Sequence, residues 1–201
     1  MGARPQPVIL AGGAARRFGG EPKGLRQVGG ERILDRLVTV CVDAFGILPL
    51  LVANDPAAPS WRPDLRVAPD RRPGTGTLGG LYTAVAEASG PVVVIAWDMP
   101  FVTAALLRYL CLALPVADAV LPASTSRRGV EPLCAAYGPG CRQPMERAIA
   151  REDYRAIAFH REVRLQIERL EVIRNFGDPD RLFFNVNTPD DLVTAESFLR
   201  Q

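Results

Sequence analysis

Along this chain, apolar runs of strand length alternate with longer stretches in which apolar residues recur at helical spacing. Val8 to Ala11 is apolar throughout and runs into glycine, and it reads as a buried strand. Ile33, Leu34, Leu37, Val38, Cys41, Val42 and Phe45 recur every three or four residues with Asp35, Arg36 and Asp43 between them, which predicts an amphipathic helix. Leu48 to Ala53 and the shorter Leu65 to Ala68 read as strands, and Leu78 to Ala88 as a helix. Val92 to Trp97, "VVVIAW", has the pattern of a strand covered on both faces. Ala104 to Leu114 and Cys141 to Arg151 read as helices, with strands at Ala119 to Pro122 and Pro132 to Tyr137, while residues 155–182 mix short strands and loops. "FFNVNTPDDL" is expected to begin as a strand and open a last helix, with Thr188 as N-cap, Pro189 at the first helical position and Asp191 three residues after the cap. This alternation argues for an α/β fold with a mostly parallel sheet. Such sheets bind ligands outside the carboxyl ends of their strands, where the chain order reverses. The candidates for chemistry are therefore the residues that follow each strand.

Composition narrows the picture only a little. At 201 residues the chain is expected to form one domain over residues 1–201, with 48% hydrophobic and 23% charged residues, an ordinary soluble balance. A net charge of +2 gives no general case for nucleic acid or a membrane as partner. Basic residues cluster locally, at Arg16, Arg17 and Lys23 and at Arg71 and Arg72. No apolar run reaches membrane-spanning length and no signal-peptide pattern opens the chain, so the expected location is cytoplasmic. Cys41, Cys111, Cys134 and Cys141 form no CxxC pair and His160 is the one histidine, which argues against a zinc site.

After the first strand comes "GGAARRFGGEPKG". Gly12 and Gly13 let backbone N–H groups approach a ligand closely, and successive amides of this kind form an anion-binding concavity. Arg17 and Lys23 can supply full charges to it. Lys23 lies between Pro22 and Gly24, so the loop is not a Walker A motif. A second glycine cluster, "GTGTLG" from Gly74 to Gly79, matches a dinucleotide-binding spacing with Asp98 about twenty residues on. "PDRRP" separates it from its strand, and an NAD-binding reading leaves the first loop without a purpose. After "VVVIAW" comes Asp98, placed to hold a divalent cation against phosphates and too early to cap the helix near residue 104. Asn185 and Asn187 share one face if "FNVN" is a strand, and their oxygens could meet a metal, a sugar or a base. His160 reads as a surface or loop residue and Trp61 and Trp97 as packing residues. Glu131 reads either as a contact to a second substrate or as a solvated strand end.

"LAGGAARRFGGEPKGL", residues 10–25, resembles the signature loop of the nucleotidyltransferases that activate sugars and cofactors, and more closely that of the molybdenum cofactor guanylyltransferase (MobA) family. "GTLGGLYTA", "DMPF", "EPLCAAY" and "FFNVNTPDDL" match that family's later landmarks in order, over roughly residues 7 to 198. The resemblance implies a three-layer α/β/α Rossmann-like nucleotidyltransferase fold. It implies transfer of GMP from GTP to the phosphate of Mo-molybdopterin, with release of pyrophosphate and with Mg2+ as cofactor. By position, Leu10, Ala11, Gly12 and Gly13 correspond to the base and phosphate loop and Lys23 to the phosphate-binding lysine. Asn54, Asp70 and the turn holding Gly76, Leu78 and Gly80 correspond to the guanosine lining, and Asp98 to the magnesium aspartate. Asn185 and Asn187 correspond to asparagines on the second-substrate or metal side. Phe18, Pro22 and Glu131 depart from the usual residues at their positions. In the mechanism this implies, Lys23 and Arg17 offset charge on the α-phosphate and the departing pyrophosphate, and Asp98 holds the metal. Protein partners would be other molybdenum cofactor biosynthesis proteins or molybdoenzyme chaperones. A cytidylyltransferase of the same fold is the nearest alternative. Its loop tends to read "LAAG", and Gly12 in place of that alanine leaves room for a purine. A nucleotide-binding module without catalysis is the alternative from another class.

Overall fold

A computed structural model of the chain describes residues 4–12 and 22–200, so Gly13, Arg16, Arg17 and Phe18 lie outside the described residues. In chain order the elements are β1 (Gln6–Ala11), β2 (Gln27–Val28), β3 (Glu31–Arg32), α1 (Ile33–Phe45), β4 (Leu50–Ala53), α2 (Ala58–Trp61), β5 (Val67–Ala68), α3 (Gly76–Glu87), β6 (Val92–Ala96), α4 (Ala104–Leu112), β7 (Ala119–Pro122), β8 (Cys134–Tyr137), α5 (Arg142–Ala150), β9 (Leu165–Glu168), α6 (Leu170–Ile173), α7 (Pro179–Leu182) and α8 (Pro189–Phe198). The main sheet runs β5-β4-β1-β6-β8-β7-β9, and β2 and β3 form a separate antiparallel pair. Within the main sheet β8 alone opposes its neighbours; β1, β4, β5 and β6 pair in parallel, as do β7 and β9. The fold is therefore the expected mostly parallel α/β sheet.

Strand alternation sorts the core into two layers. Ile9, Leu51, Val93, Ile95 and Cys134 face α1 and α4, and pack against Leu34, Leu37, Cys41, Leu106 and Leu110. Val8, Leu10, Val52, Val94 and Tyr137 face α3 and α5, and pack against Leu78, Leu81, Val85, Met145 and Phe159. Both faces are covered, which is why β1 and β6 read as continuous apolar runs rather than alternating ones. The helix α1 ends where Gly46 takes a left-handed conformation, φ 65°, and donates its N–H to Val42 O.

Several boundaries differ from the sequence reading. Strand β4 starts at Leu50, not Leu48: Pro49 cannot donate to a ladder, and Leu48 is exposed. The helix α3 starts two residues early, on Gly76 with φ 56°, where the glycines hide the apolar pattern. No strand forms over Phe184–Asn187. That segment is irregular: the Val186 N–H goes to Asp98 O at 2.8 Å, and the Asn187 N–H is taken by the Asp191 side chain. The last helix opens as expected, with Thr188 and Asp191 forming a capping box. Thr103 caps α4, as the distance from Asp98 required. No helix among the described residues is long and apolar enough to cross a membrane.

Candidate functional site

After β1 the chain turns aside to β4 and β5, then returns to place β6 on the other side of β1. The order reverses between β1 and β6, and Gly12 and Asp98 lie just beyond the carboxyl ends of those two strands. The Trp97 N–H donates to Leu10 O at 3.2 Å and carries the ladder one residue past β6, which fixes Asp98 at the edge. A cavity of about 560 Å3 opens here, within the range that holds a small ligand. Leu10, Val52 and Ala96 form part of its apolar lining, Asn54 and Asp70 lie on it, and Gly76, Thr77 and Gly80 bring the start of α3 to it. Gly12, Lys23, Trp97 and Asp98 line its other side.

Of the two glycines at this edge, packing among the described residues requires only Gly24. A Cβ on Gly12 would meet none of the described residues within 4 Å. A Cβ on Gly24 would come within 2.4 Å of Trp97 Cε3, so only glycine lets the short 3-10 turn Lys23–Leu25 lie against the indole. That indole stacks on Trp61 at 5.2 Å between centroids, and both tryptophans are buried. The packing role expected for them is what the fold uses, and Trp97 also backs the turn that carries Lys23 at Gly24.

Lys23 is the chain's one lysine against 23 arginines, and it is 9% exposed. Its ammonium donates to Asn187 Oδ1 at 2.5 Å and lies 3.5 Å from Asp98 Oδ2. Burial pushes the Asp98 carboxyl above the usual aspartate range, and the Lys23 charge beside it partly offsets that shift. A lysine is a compact charge with three donors, and the Asn187 and Asp98 contacts leave it capacity for a ligand oxygen.

Asn54 and Asp70 bind each other reciprocally: Asn54 Nδ2 donates to Asp70 Oδ2, and the Asp70 N–H donates to Asn54 Oδ1, each at 2.7 Å. Asp70 Oδ1 lies 3.9 Å from the position a Gly80 Cβ would take. These two, with Gly76 and Gly80, come together on one cavity as expected. Leu78 does not line it: its side chain is fully buried in the layer beneath α3. Asn185 and Asn187 do not act as a pair on a strand face. Asn187 reaches Lys23, while Asn185 Nδ2 donates to Phe183 O at 2.9 Å.

Two residues outside the cavity also differ from expectation. Glu131 is neither solvated nor at the cavity; it is buried and accepts a hydrogen bond from Ser124 Oγ at 3.0 Å. His160 is half-buried, with Nε2 unpartnered, and burial lowers it to about 4. The second basic cluster is spent on α3: Arg71 Nε donates to Glu87 Oε1 at 2.6 Å, and Arg72 lies over the Tyr82 ring.

The family of MobA-like NTP transferase domains matches residues 7–167. A protein named "Probable molybdenum cofactor guanylyltransferase" from Pelotomaculum thermopropionicum is 36% identical, over 94% of this chain and 90% of that one. The crystal structure of molybdopterin-guanine dinucleotide biosynthesis protein A from Archaeoglobus fulgidus superposes with a TM-score of 0.81 at 27% identity, covering 97% of this chain and 98% of that one. A 4-diphosphocytidyl-2C-methyl-D-erythritol synthase from Anaerococcus prevotii shares the fold alone, at a TM-score of 0.73 and 15% identity, over 98% of this chain and 96% of that one.

Proposed function

The chain belongs to the MobA-like NTP transferase family, and from that membership we propose that it is a guanylyltransferase of molybdenum cofactor biosynthesis, moving GMP from GTP to the phosphate of Mo-molybdopterin. The observation that carries this reading is the buried Lys23, held by Asn187 and Asp98 at the lip of a cavity on the β1/β6 switch point. In the reaction an oxygen of the acceptor phosphate attacks the α-phosphorus of GTP. A new P–O bond forms, the α–β P–O bond breaks, and pyrophosphate leaves. The acceptor oxygen is already anionic, so no general base is needed, which suits a cavity whose described lining holds no histidine. Positioning and charge neutralisation carry the barrier reduction. Lys23 binds the triphosphate and offsets its charge; Gly12 keeps the β1 edge open; Arg17, four residues beyond Gly13, adds a second positive charge.

Asp98 fits a magnesium ion. Mg2+ characteristically takes one or two protein carboxylates and fills its shell with phosphate oxygens and water. A single, mostly buried carboxylate facing a phosphate-binding lysine is such a donor set. When bound, the ion would supply further neutralisation of the α-phosphate. The choice of guanine over cytosine rests on two features. Gly12 leaves open space where the "LAAG" relatives carry a methyl, and the Asp70 carboxylate is an acceptor suited to the N–H donors on guanine's pairing edge.

The test is acceptor-dependent release of pyrophosphate, with labelled GMP appearing on Mo-molybdopterin. GTP with magnesium should support it, CTP should not, and Asp98→Ala should lose nearly all turnover. Equal turnover with CTP would move the protein to cytidylyl transfer, and wild-type rates in Asp98→Ala would remove Asp98 from the mechanism.

A further inference from the structure

A capping box needs only two hydrogen bonds: the N-cap side chain accepts from the third helical N–H, and the third residue's side chain accepts from the N-cap N–H. At the start of α8 both are present, Thr188 Oγ1 accepting from Asp191 N at 3.2 Å and Asp191 Oδ2 from Thr188 N at 2.8 Å. The same Asp191 oxygen also accepts from Asn187 N at 2.8 Å, one residue outside the box. That extra bond lies outside the two that make the cap. On the other side, the Val186 N–H is tied to Asp98 O at 2.8 Å. The backbone from Val186 to Thr188 is thus pinned at both ends, and the side chain between the pins is the one whose oxygen holds Lys23 at 2.5 Å.

We infer that Asp191 is a positioning residue for the phosphate-binding lysine, acting through Asn187. Without its carboxylate the Asn187 backbone is free to turn, and the amide oxygen no longer meets an ammonium that the 3-10 turn holds in place. The role assigned to Lys23 toward a triphosphate rests on the proposed function; the geometric role of Asp191 does not.

The two halves of the capping box separate this inference from simple support of a helix. Thr188→Ala removes the bond to Asp191 N and weakens the cap, but leaves the Asp191 carboxylate on Asn187. Asp191→Ala weakens the cap and frees Asn187; Asp191→Asn keeps an oxygen that can accept both N–H groups. Because Lys23 is the only lysine, protein labelled with 15N-lysine gives one side-chain ammonium signal, a direct report on its surroundings. That signal should move in Asp191→Ala and stay in place in Thr188→Ala and Asp191→Asn. GTP affinity by calorimetry should fall on the order of tenfold in Asp191→Ala and change less than twofold in the other two. A Lys23 signal unmoved in Asp191→Ala, or moved equally by Thr188→Ala, overturns the inference. A signal that moves as described in a protein that binds no nucleotide supports the positioning role and removes the proposed function instead.

Discussion

Replacing Lys23 by methionine keeps most of the side chain's bulk and deletes its charge. The Nζ–Oδ2 separation of 3.5 Å corresponds to roughly 5 kcal/mol at an effective dielectric near 20. The two side chains are only 11% and 14% exposed, so solvent screens the pair little. Desolvating the ammonium takes back several kcal/mol, and the charge-assisted bond to Asn187 adds about 1.5–3 kcal/mol. A net loss of about 3 kcal/mol at pH 8 is expected, at the low end of the cost of removing one partner from a buried pair. The loss should depend on pH. Burial already raises Asp98, and without Lys23 it rises further. The folded variant then binds its proton more tightly than the unfolded chain does. Its stability falls as pH climbs from the ordinary aspartate range through the raised folded value. The deficit against wild type should therefore be smaller at pH 5 than at pH 8. Adding Asp98→Asn neutralises the stranded carboxylate and should bring the double variant within about 1 kcal/mol of wild type. Urea unfolding followed by circular dichroism at both pH values measures all three proteins. An equal deficit at both pH values, with no recovery in the double variant, would show that losing Lys23 does not strand the Asp98 carboxylate.

Three further outcomes follow from single positions. Gly12→Ala places a methyl where no described residue lies within 4 Å, so stability should stay within about 0.5 kcal/mol while GTP affinity falls about tenfold and CTP affinity holds; unchanged GTP affinity by calorimetry would remove Gly12 from the site. Gly24→Ala forces a carbon to within 2.4 Å of the Trp97 ring and should cost about 1–3 kcal/mol in thermal unfolding, a loss that a wild-type melting curve would contradict. His160 is held neutral by burial, at about 4, whereas the unfolded chain takes up a proton near pH 6.5. Stability should therefore drop as pH falls from about 6.5 toward about 4, and His160→Gln should flatten that slope in urea midpoints at pH 7 and pH 5.

The strong periodicities were readable because burial alone sets them. β1 and β6 are covered on both faces and α1 on one, so hydrophobic pattern and structure coincide to within a residue or two. Residues 155–182 were not readable, because their elements are three or four residues long and are held by distant partners. Glu162 takes bonds from Arg147 and Arg151, and Glu168 takes one from Tyr109. The site divides the same way. Gly12, Asp98 and the Gly76 turn follow strands or open a helix, and a rule about strand ends finds them. The Lys23–Asn187 bond joins residues 164 apart, and the strand expected at "FFNVN" is replaced by a segment tied to Asp98 and Asp191. The fit of Gly24 against Trp97 left a faint signal, a glycine directly after the lysine, but only the packing shows which ring requires it.

On this reading the cavity between β1 and β6 takes a guanine nucleoside triphosphate. Calorimetric titration of the purified protein with GTP, CTP, ATP and NADH, each with and without magnesium, tests it most directly. GTP should bind more tightly than the other three, and magnesium should strengthen its binding. Preference for CTP would contradict the guanine assignment, and binding of NADH without any nucleoside triphosphate would contradict the site itself.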